Sequence, residues 1–503
     1  MAKDNLTKAK KRIAVGDIIA GISVALIAIP QALAYAELAG MPAHTGLNAV
    51  AFAALAAAFF ASSPYIQAGP VATTSLLTFG VLSQIASPDY VAAAGLLAII
   101  VGIVRIAIGF FKFGQIAYLL SQPVITGFIS AAGILITASQ IPTVFGVNVA
   151  GGILFKTFYS LTGPQLWQIS SIALALATIA IVQLGKRIHP LFPSVLIAVI
   201  VGLFISKFFG YSGKTIGDIS MQMPSINLDF PFQYLKKLLI GGGIIAIVGF
   251  SEAASIARTY ATLERSHWDP NQEFVAQGAA NIASGLFGGF PVGASFSRSS
   301  VNYSAGAKTR WSGLITGITV LAILPFIGIF SALPKAVLAG IIIASVISLV
   351  RVSDLIKLYK YSRHQGSIAL ITFILTLALA PEIELAVLAG ISLSILQHLR
   401  RESTLIYKSW QDSEGLHIEP HGVMWFGSAA VMEEEFLKII AENPKINCIH
   451  FHLEGIGRID LSAAMTLEQI IVDAEKSGIN CQLHDVPPMA KAWVERIWKK
   501  TVD

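Results

Sequence analysis

The sequence predicts a polytopic α-helical membrane protein with a small α/β domain at its C-terminal end. Composition, span count and a pair of interrupted spans each point there. Of 503 residues, 54% are hydrophobic and only 13% charged, against about 25% charged in ordinary soluble proteins. Taking about 20 apolar residues as one crossing and allowing short ones, fourteen spans precede residue 400. Two of those spans break at equivalent places in the two halves.

The spans run approximately over 16–36, 46–61, 70–86, 90–110, 116–138, 165–185 and 191–209, then 238–261, 271–287, 294–304, 311–330, 334–350, 366–380 and 383–399. The chain therefore divides into an N-terminal segment (1–15), a membrane domain (16–400, with repeats over about 16–210 and 238–400) and a soluble region (401–503). The basic start leads into a long apolar stretch without a small-residue cleavage site, so it reads as a first membrane helix and not as a removed signal.

Charge placement orients the spans. With the N-terminus in the cytoplasm, every second connection is basic: Arg105 and Lys112, Lys186 and Arg187, Arg258 and Arg265, and Lys308 and Arg310. Arg351, Lys357, Lys360 and Arg363 continue the series, which ends at Arg400 and Arg401. Outer connections hold Glu37, Asp89, Glu382 and Glu384, with Lys207, Lys214, Lys236 and Lys237 as the exception between the halves. An even number of spans returns the C-terminal region to the cytoplasm. Spread in this way, the net charge of +6 reports membrane orientation and not a nucleic-acid partner. Cys448 and Cys481, the only cysteines, both fall in the soluble region and read as reduced thiols.

The stretch Phe287 to Arg310 is a hydrophobic segment that stops halfway. Gly288, Gly289, Pro291 and Gly293 break it, and the residues after Gly293 make about three turns of helix, well short of a ~30 Å hydrocarbon core. A half-helix beginning at Ala294 to Phe296 has unpaired N–H groups and roughly half a positive charge at its start, which offer an anion a site. Arg298 adds a full charge. An arginine in a membrane domain is costly unless it lines a cavity or meets a partner, so its guanidinium is expected to face a wet cavity. An ordinary re-entrant loop with Arg298 paired structurally is the alternative.

The first half repeats the pattern: Ser62 to Leu77 contains a Gly69-Pro70 break followed by small residues. Pro30 to Pro70 spans 40 residues and Glu252 to Pro291 spans 39. Paired breaks in two halves point to a transporter site. If the repeats are inverted, half-helices beginning near Val71 and Ser295 point at each other across the midplane.

Beyond Arg401, Val423 to Phe426, Cys448 to Leu453 and Cys481 to His484 read as short buried strands, each followed by a helical pattern. The alternation predicts a small α/β domain. His450 and His452 share one strand face, with His484 on a neighbouring strand, an arrangement that permits a metal site. No paired cysteine motif accompanies them, and neither a metal nor another cofactor is expected. Ser462 reads as a helix N-cap.

Four membrane segments carry a resemblance. Ala25 to Gly40 (ALIAIPQALAYAELAG), Gly69 to Leu77 (GPVATTSLL), Leu120 to Gly133 (LSQPVITGFISAAG) and Gly288 to Ala307 (GGFPVGASFSRSSVNYSAGA) are similar to the first, third, fifth and tenth spans of the SulP family of anion transporters. That family includes sulfate permeases, bicarbonate transporters and prestin, and the soluble region resembles its STAS module. The resemblance implies two inverted repeats of seven segments, a mobile core domain and a gate domain, elevator-like alternating access, and a homodimer. It implies an anion between the third and tenth half-helices, with Gln31 and Tyr35 from the first span around it. The matching positions are Val71, Ala72 and Thr73 in the third span and Ser295, Phe296, Ser297 and Arg298 in the tenth. An acidic residue at the place of Glu252 is associated there with cation coupling. The chain ends at Asp503, sooner than many relatives, so a shortened STAS domain is expected.

Glu252 also stands out by itself, as a carboxylate within an otherwise apolar segment. Such a group is protonated, paired or functional, and a buried carboxyl can take up a proton near neutral pH. A proton is the expected coupling ion, with sodium as the alternative and a static ion pair with Arg298 as the structural reading. Glu37, near the outer end of the first span, is an ordinary interfacial carboxylate or a second proton site.

No GxxxxGK[ST], HExxH or GxSxG motif occurs, so the chain is not expected to be an enzyme and ion gradients are its energy source. The leading expectation is a secondary active transporter in the cell membrane that moves sulfate inward with protons. Bicarbonate, with sodium as the coupling ion, or a C4-dicarboxylate such as fumarate or succinate suits the same site chemistry. A channel-like protein of this fold and a membrane-tethered signalling protein are the competing classes.

Overall fold

The computed structural model describes residues 13–83, 85, 89–118, 121–189, 191–217, 224–488 and 491. The basic segment 1–12 and much of the tail after Pro488 lie outside the described residues. The chain forms two compact units, Met1–Ile391 and Ser392–Asp503.

The first half of the membrane unit runs α1 (Val15–Leu38), α2 (Ala43–Phe60), a two-residue strand β1 (Ala68–Gly69), α3 (Ala72–Leu82), α4 (Tyr90–Phe110), α5 (Gln122–Phe145), α6 (Ile153–Thr162), α7 (Ile169–Ile188) and α8 (Ser194–Phe208). The second half runs α9 (Leu235–Leu263), α10 (Pro270–Leu286), a strand β2 (Gly293–Ala294), α11 (Phe296–Ser304), α12 (Trp311–Ile323), α13 (Lys335–Val346), α14 (Val352–Tyr361), α15 (Arg363–Ala378) and α16 (Ile383–Glu402). Eight helical segments among the described residues are long and apolar enough to cross a membrane. The shorter α3, α7, α8, α10, α11 and α15 fill the remaining expected spans.

Two helices occupy stretches that the hydrophobic runs leave as connections. Helix α6 exposes Leu154, Phe155 and Phe158, and α14 exposes Ile356 and Tyr361 beside Lys357 and Lys360. Short helices that mix exposed apolar side chains with polar or basic ones suit the membrane interface. A third difference concerns Arg105, expected in a cytoplasmic connection. It lies within α4 and is wholly buried.

Close helix contact explains much of the glycine content. Gly95, Gly102 and Gly109 recur every seventh residue of α4, facing Gly285, Gly278 and Asn271 of α10. A Cβ on Gly102 would stand 2.7 Å from the Gly278 carbonyl oxygen, and one on Gly278 2.7 Å from that of Gly102. Backbone thus meets backbone, which in lipid supplies the packing that the hydrophobic effect cannot.

The soluble unit contains β3 (Ile406–Gln411), β4 (Leu416–Met424), α17 (Ala429–Glu442), β5 (Cys448–His452), β6 (Ile456–Ile459), α18 (Leu461–Lys476) and β7 (Asn480–His484). The sheet order is β3-β4-β5-β7, with β6 pairing β4, and only the β3/β4 pair is antiparallel. Met432 and Phe436 of α17 and Leu467 and Ile470 of α18 cover Ile418, Ile449 and Phe451 on one face of the sheet. Strands β3 and β6 add to the three expected, and β4 begins seven residues before Val423 because its alternation includes polar histidines. Asp460, not Ser462, caps α18: its Oδ1 accepts from Ala463 N at 2.9 Å, while Ser462 lies exposed in the first turn. The carboxylate reaches the free N–H groups from the position that precedes the helix.

Candidate functional site

Strands β1 and β2 pair antiparallel, Ala68 with Ala294 and Gly69 with Gly293. Each strand leads within two residues into a short helix, so this ribbon brings the N-termini of α3 and α11 together from the two halves. Gly69 has φ 153°, a conformation that L side chains rarely adopt, and a Cβ there would stand 2.9 Å from Val50 Cγ2. The Gly-Pro break at 69–70 and the Gly-Phe-Pro-Val-Gly break at 289–293 are therefore what the ribbon requires.

The two helix starts differ. Val71, the N-cap of α3, has no side chain that can cap, which leaves the first N–H groups, at Ala72 and Thr73, to a ligand or solvent. Ser295 caps α11 by accepting from Arg298 N at 3.3 Å. Phe296 and Ser297 follow it and are exposed, whereas Val71, Ala72, Thr73 and Ser295 are nearly buried.

Arg298 departs from expectation. Its guanidinium is wholly buried instead of facing a wet cavity. Nη2 donates to the Pro70 carbonyl at 2.9 Å and Nη1 reaches Gln31 Oε1 at 3.5 Å. The charge spans the ribbon from one half-helix to the start of the other. Gln31 and Tyr35, one helical turn apart on α1, are both buried, and Gln31 joins the site through Arg298.

Glu252, in the interior of α9, accepts a hydrogen bond from Thr73 Oγ1 at 2.5 Å. Among the described residues no ion pair joins it to Arg298, so the static pair is not what the structure holds. Thr73, Ser251 and Glu252 border a small cavity closed by Val124 and Phe128 of α5 and Val387 of α16. Glu37 is in a different place. Its Oε1 accepts from Lys335 Nζ at 2.7 Å, an ion pair between α1 and the start of α13.

The hydrophobic runs do not reveal three further buried charges. Asp17 accepts from Lys308 N and Thr309 N, both at 2.8 Å, and ties the segment after α11 to the start of α1. Glu273 accepts from Ser62 N at 3.1 Å and Ser63 N at 3.3 Å, ahead of β1. Arg105 donates to backbone around β2. For Arg105 a signal exists, since a charge within the apolar stretch Tyr90–Phe110 carries the same weight as Glu252 does in α9.

In the soluble unit, the sheet face opposite α17 and α18 carries His417, His450, His452 and His484. His417 Nδ1 and His452 Nε2 are 2.9 Å apart, as are His450 Nδ1 and His484 Nε2. The rings stack in near-parallel planes, and Trp410 extends the stack over His417. Imidazoles that hydrogen-bond one another in this way do not direct their lone pairs at a common point.

Many membrane helices, with two half-helix starts joined by a ribbon and two buried cations beside it, define a membrane transporter of small anions. Residues 15–372 match the sulfate permease family, and the chain belongs to that family. A probable sulfate transporter of Mycobacterium tuberculosis is 29% identical over 493 residues, covering 92% of this chain and 88% of the relative. Sulfate transporter 4.1, chloroplastic, of Arabidopsis thaliana is 33% identical over 397 residues, 76% of this chain and 58% of the relative. Among solved structures, murine solute carrier 26 family member A9, an anion transporter in the inward-facing state, matches with TM-score 0.87 at 22% identity, over 96% of this chain and 88% of that one. The transmembrane domain of the cyanobacterial bicarbonate transporter BicA matches with TM-score 0.65 at 27% identity, over 76% of this chain and 99% of that one. The C-terminal α/β unit is consistent with a STAS domain.

Proposed function

We propose that this protein takes up sulfate across the cytoplasmic membrane together with protons, by elevator-like alternating access and as a homodimer with both termini in the cytoplasm. The anion sits against the N–H groups that begin α3 and α11, between Gln31 and Tyr35 on one side and Phe296 and Ser297 on the other. Two helix ends, worth about half a positive charge each, and Arg298 together balance a divalent anion.

One contact carries the coupling: the 2.5 Å hydrogen bond between Thr73 and Glu252. A hydroxyl donates to a carboxylate and accepts from a carboxylic acid, so Glu252 keeps a partner in either protonation state. Thr73 also belongs to the first turn of α3, so a change at Glu252 is felt where the anion binds. One proton moving down 100 mV supplies ~2.3 kcal/mol. The test is uptake of labelled sulfate into proteoliposomes, with accumulation expected at inside-alkaline pH. Bicarbonate or dicarboxylate uptake driven by sodium, with sulfate indifferent to pH, would overturn this assignment.

A further inference from the structure

Arg105 is a buried cation that the proposed coupling does not use. It is wholly buried in α4, and all of its hydrogen bonds go to backbone carbonyls. Nε donates to Ala246 O at 3.0 Å and Nη2 to Ile245 O at 3.2 Å, both on α9, while Nη1 donates to Val292 O at 3.0 Å. No carboxylate forms an ion pair with it among the described residues. Glycine at 249 makes the position possible, because a Cβ there would stand 2.7 Å from Nη2.

Val292 directly precedes β2, and Asn281 of α10 grips it as well. Val292 N donates to Asn281 Oδ1 at 2.9 Å, and Asn281 Nδ2 donates to Val292 O at 3.1 Å. The last residue before the ribbon is thus fixed to α10 by an amide and to α4 and α9 by a guanidinium. Three residues later Ser295 caps α11. Only a guanidinium offers a rigid fork broad enough for carbonyls on two separate segments; a lysine presents one compact donor group.

We propose that Arg105 is a positioning residue for the anion site: by holding Val292 to α9 it sets where the N–H groups of α11 point. The inference rests on the proposed anion site. An arginine used only for stability would be replaceable without effect on the anion, whereas here a displacement at Val292 passes through two residues to the N-cap.

The test measures sulfate and bicarbonate binding to the full-length protein by calorimetry, with thermal stability read in parallel, for Arg105→Lys and Arg105→Gln. Both variants are expected to weaken anion affinity by about tenfold or more, since a misplacement of about 1 Å costs up to a hundredfold. Transport should show a raised KM with a smaller change in kcat. Affinity kept in Arg105→Lys would reduce the residue to a charge, and affinity kept in both variants with lower stability would make it purely structural; either result overturns the proposal. Should both fail to fold, Gly249→Ala displaces the guanidinium without removing it. Weakened affinity is again expected, and wild-type affinity would refute the inference. Ser297→Trp serves as the control: if it still binds anion normally, the site reading itself fails, whatever Arg105 does.

Discussion

In the membrane unit the buried charges Arg105, Asp17 and Glu273 are met largely by the backbone, whereas in the soluble unit the histidines of one sheet face are met by one another. Arg105 ends on three carbonyls, and Asp17 and Glu273 each accept two or more backbone N–H groups. Peptide groups do not titrate, so the partners of these charges do not change with pH. The histidines instead face one another ring nitrogen to ring nitrogen, His417 against His452 and His450 against His484, both at 2.9 Å. Glu252 differs from Asp17 and Glu273 in that its hydrogen bond comes from the hydroxyl of Thr73, a group that serves both protonation states, and not from backbone N–H groups.

Glu252→Gln should give the largest effect. Proton-driven accumulation is expected to disappear while anion counterflow at equal pH persists, since the amide keeps the shape but cannot release a proton. Wild-type accumulation in this variant would end the distinction between Glu252 and the charges held by the backbone.

Arg298→Ala comes next. It removes the cation and leaves Pro70 O and Gln31 without their donor, so anion affinity should fall sharply and stability should drop by about 1–3 kcal/mol per buried group left unpaired. Arg298→Lys should restore only part of either, as the fork is lost. Calorimetric titration of both variants, paired with thermal melts, would expose the planar fork as dispensable if lysine proved equivalent.

Ser295→Ala deletes the α11 cap at a cost of about 1 kcal/mol, while binding should change little because the N–H groups remain. Severe loss of uptake would shift weight from backbone to hydroxyl ligation.

The smallest effect is expected in the soluble unit. Burial, then the nearby His452 and His450, hold the His484 imidazole below its ordinary value of 6.5. A depressed histidine contributes stability that is complete above 6.5 and is lost as pH falls through its lowered value. Melting of the soluble unit, followed on the full-length protein, should weaken on acidification below that point. His484→Asn should flatten the dependence, and an unchanged slope would remove His484 from it.

Much of the candidate site's backbone geometry was legible because glycine and proline interrupt apolar runs at matching places. Gly69-Pro70 and Gly289 to Gly293 mark the ribbon, and Ser295 caps where the half-helix was expected to begin. Arg105 was missed for a physical reason: it lies one and a half turns before the end of α4, where a count of basic residues by connection assigns it to the loop. The direction of Arg298 was not legible either, since its carbonyl partner at Pro70 exists only once the halves meet. His417 escaped notice because the β4 pattern alternates, and only the core-facing half of such a strand reads as apolar.

The ribbon also has a consequence for how the chain is made. Gln67 N donates to Ser299 Oγ across 232 residues, and at about 5–20 residues per second the ribosome needs roughly 12–46 s to supply the second partner. During that interval α3 exists with Thr73, Thr74, Ser75 and Thr78 but without the ribbon that later buries its start. Biogenesis must therefore shelter a short helix that carries four buried hydroxyls until translation of the other half completes its surroundings, which makes α3 the expected client of the insertion machinery.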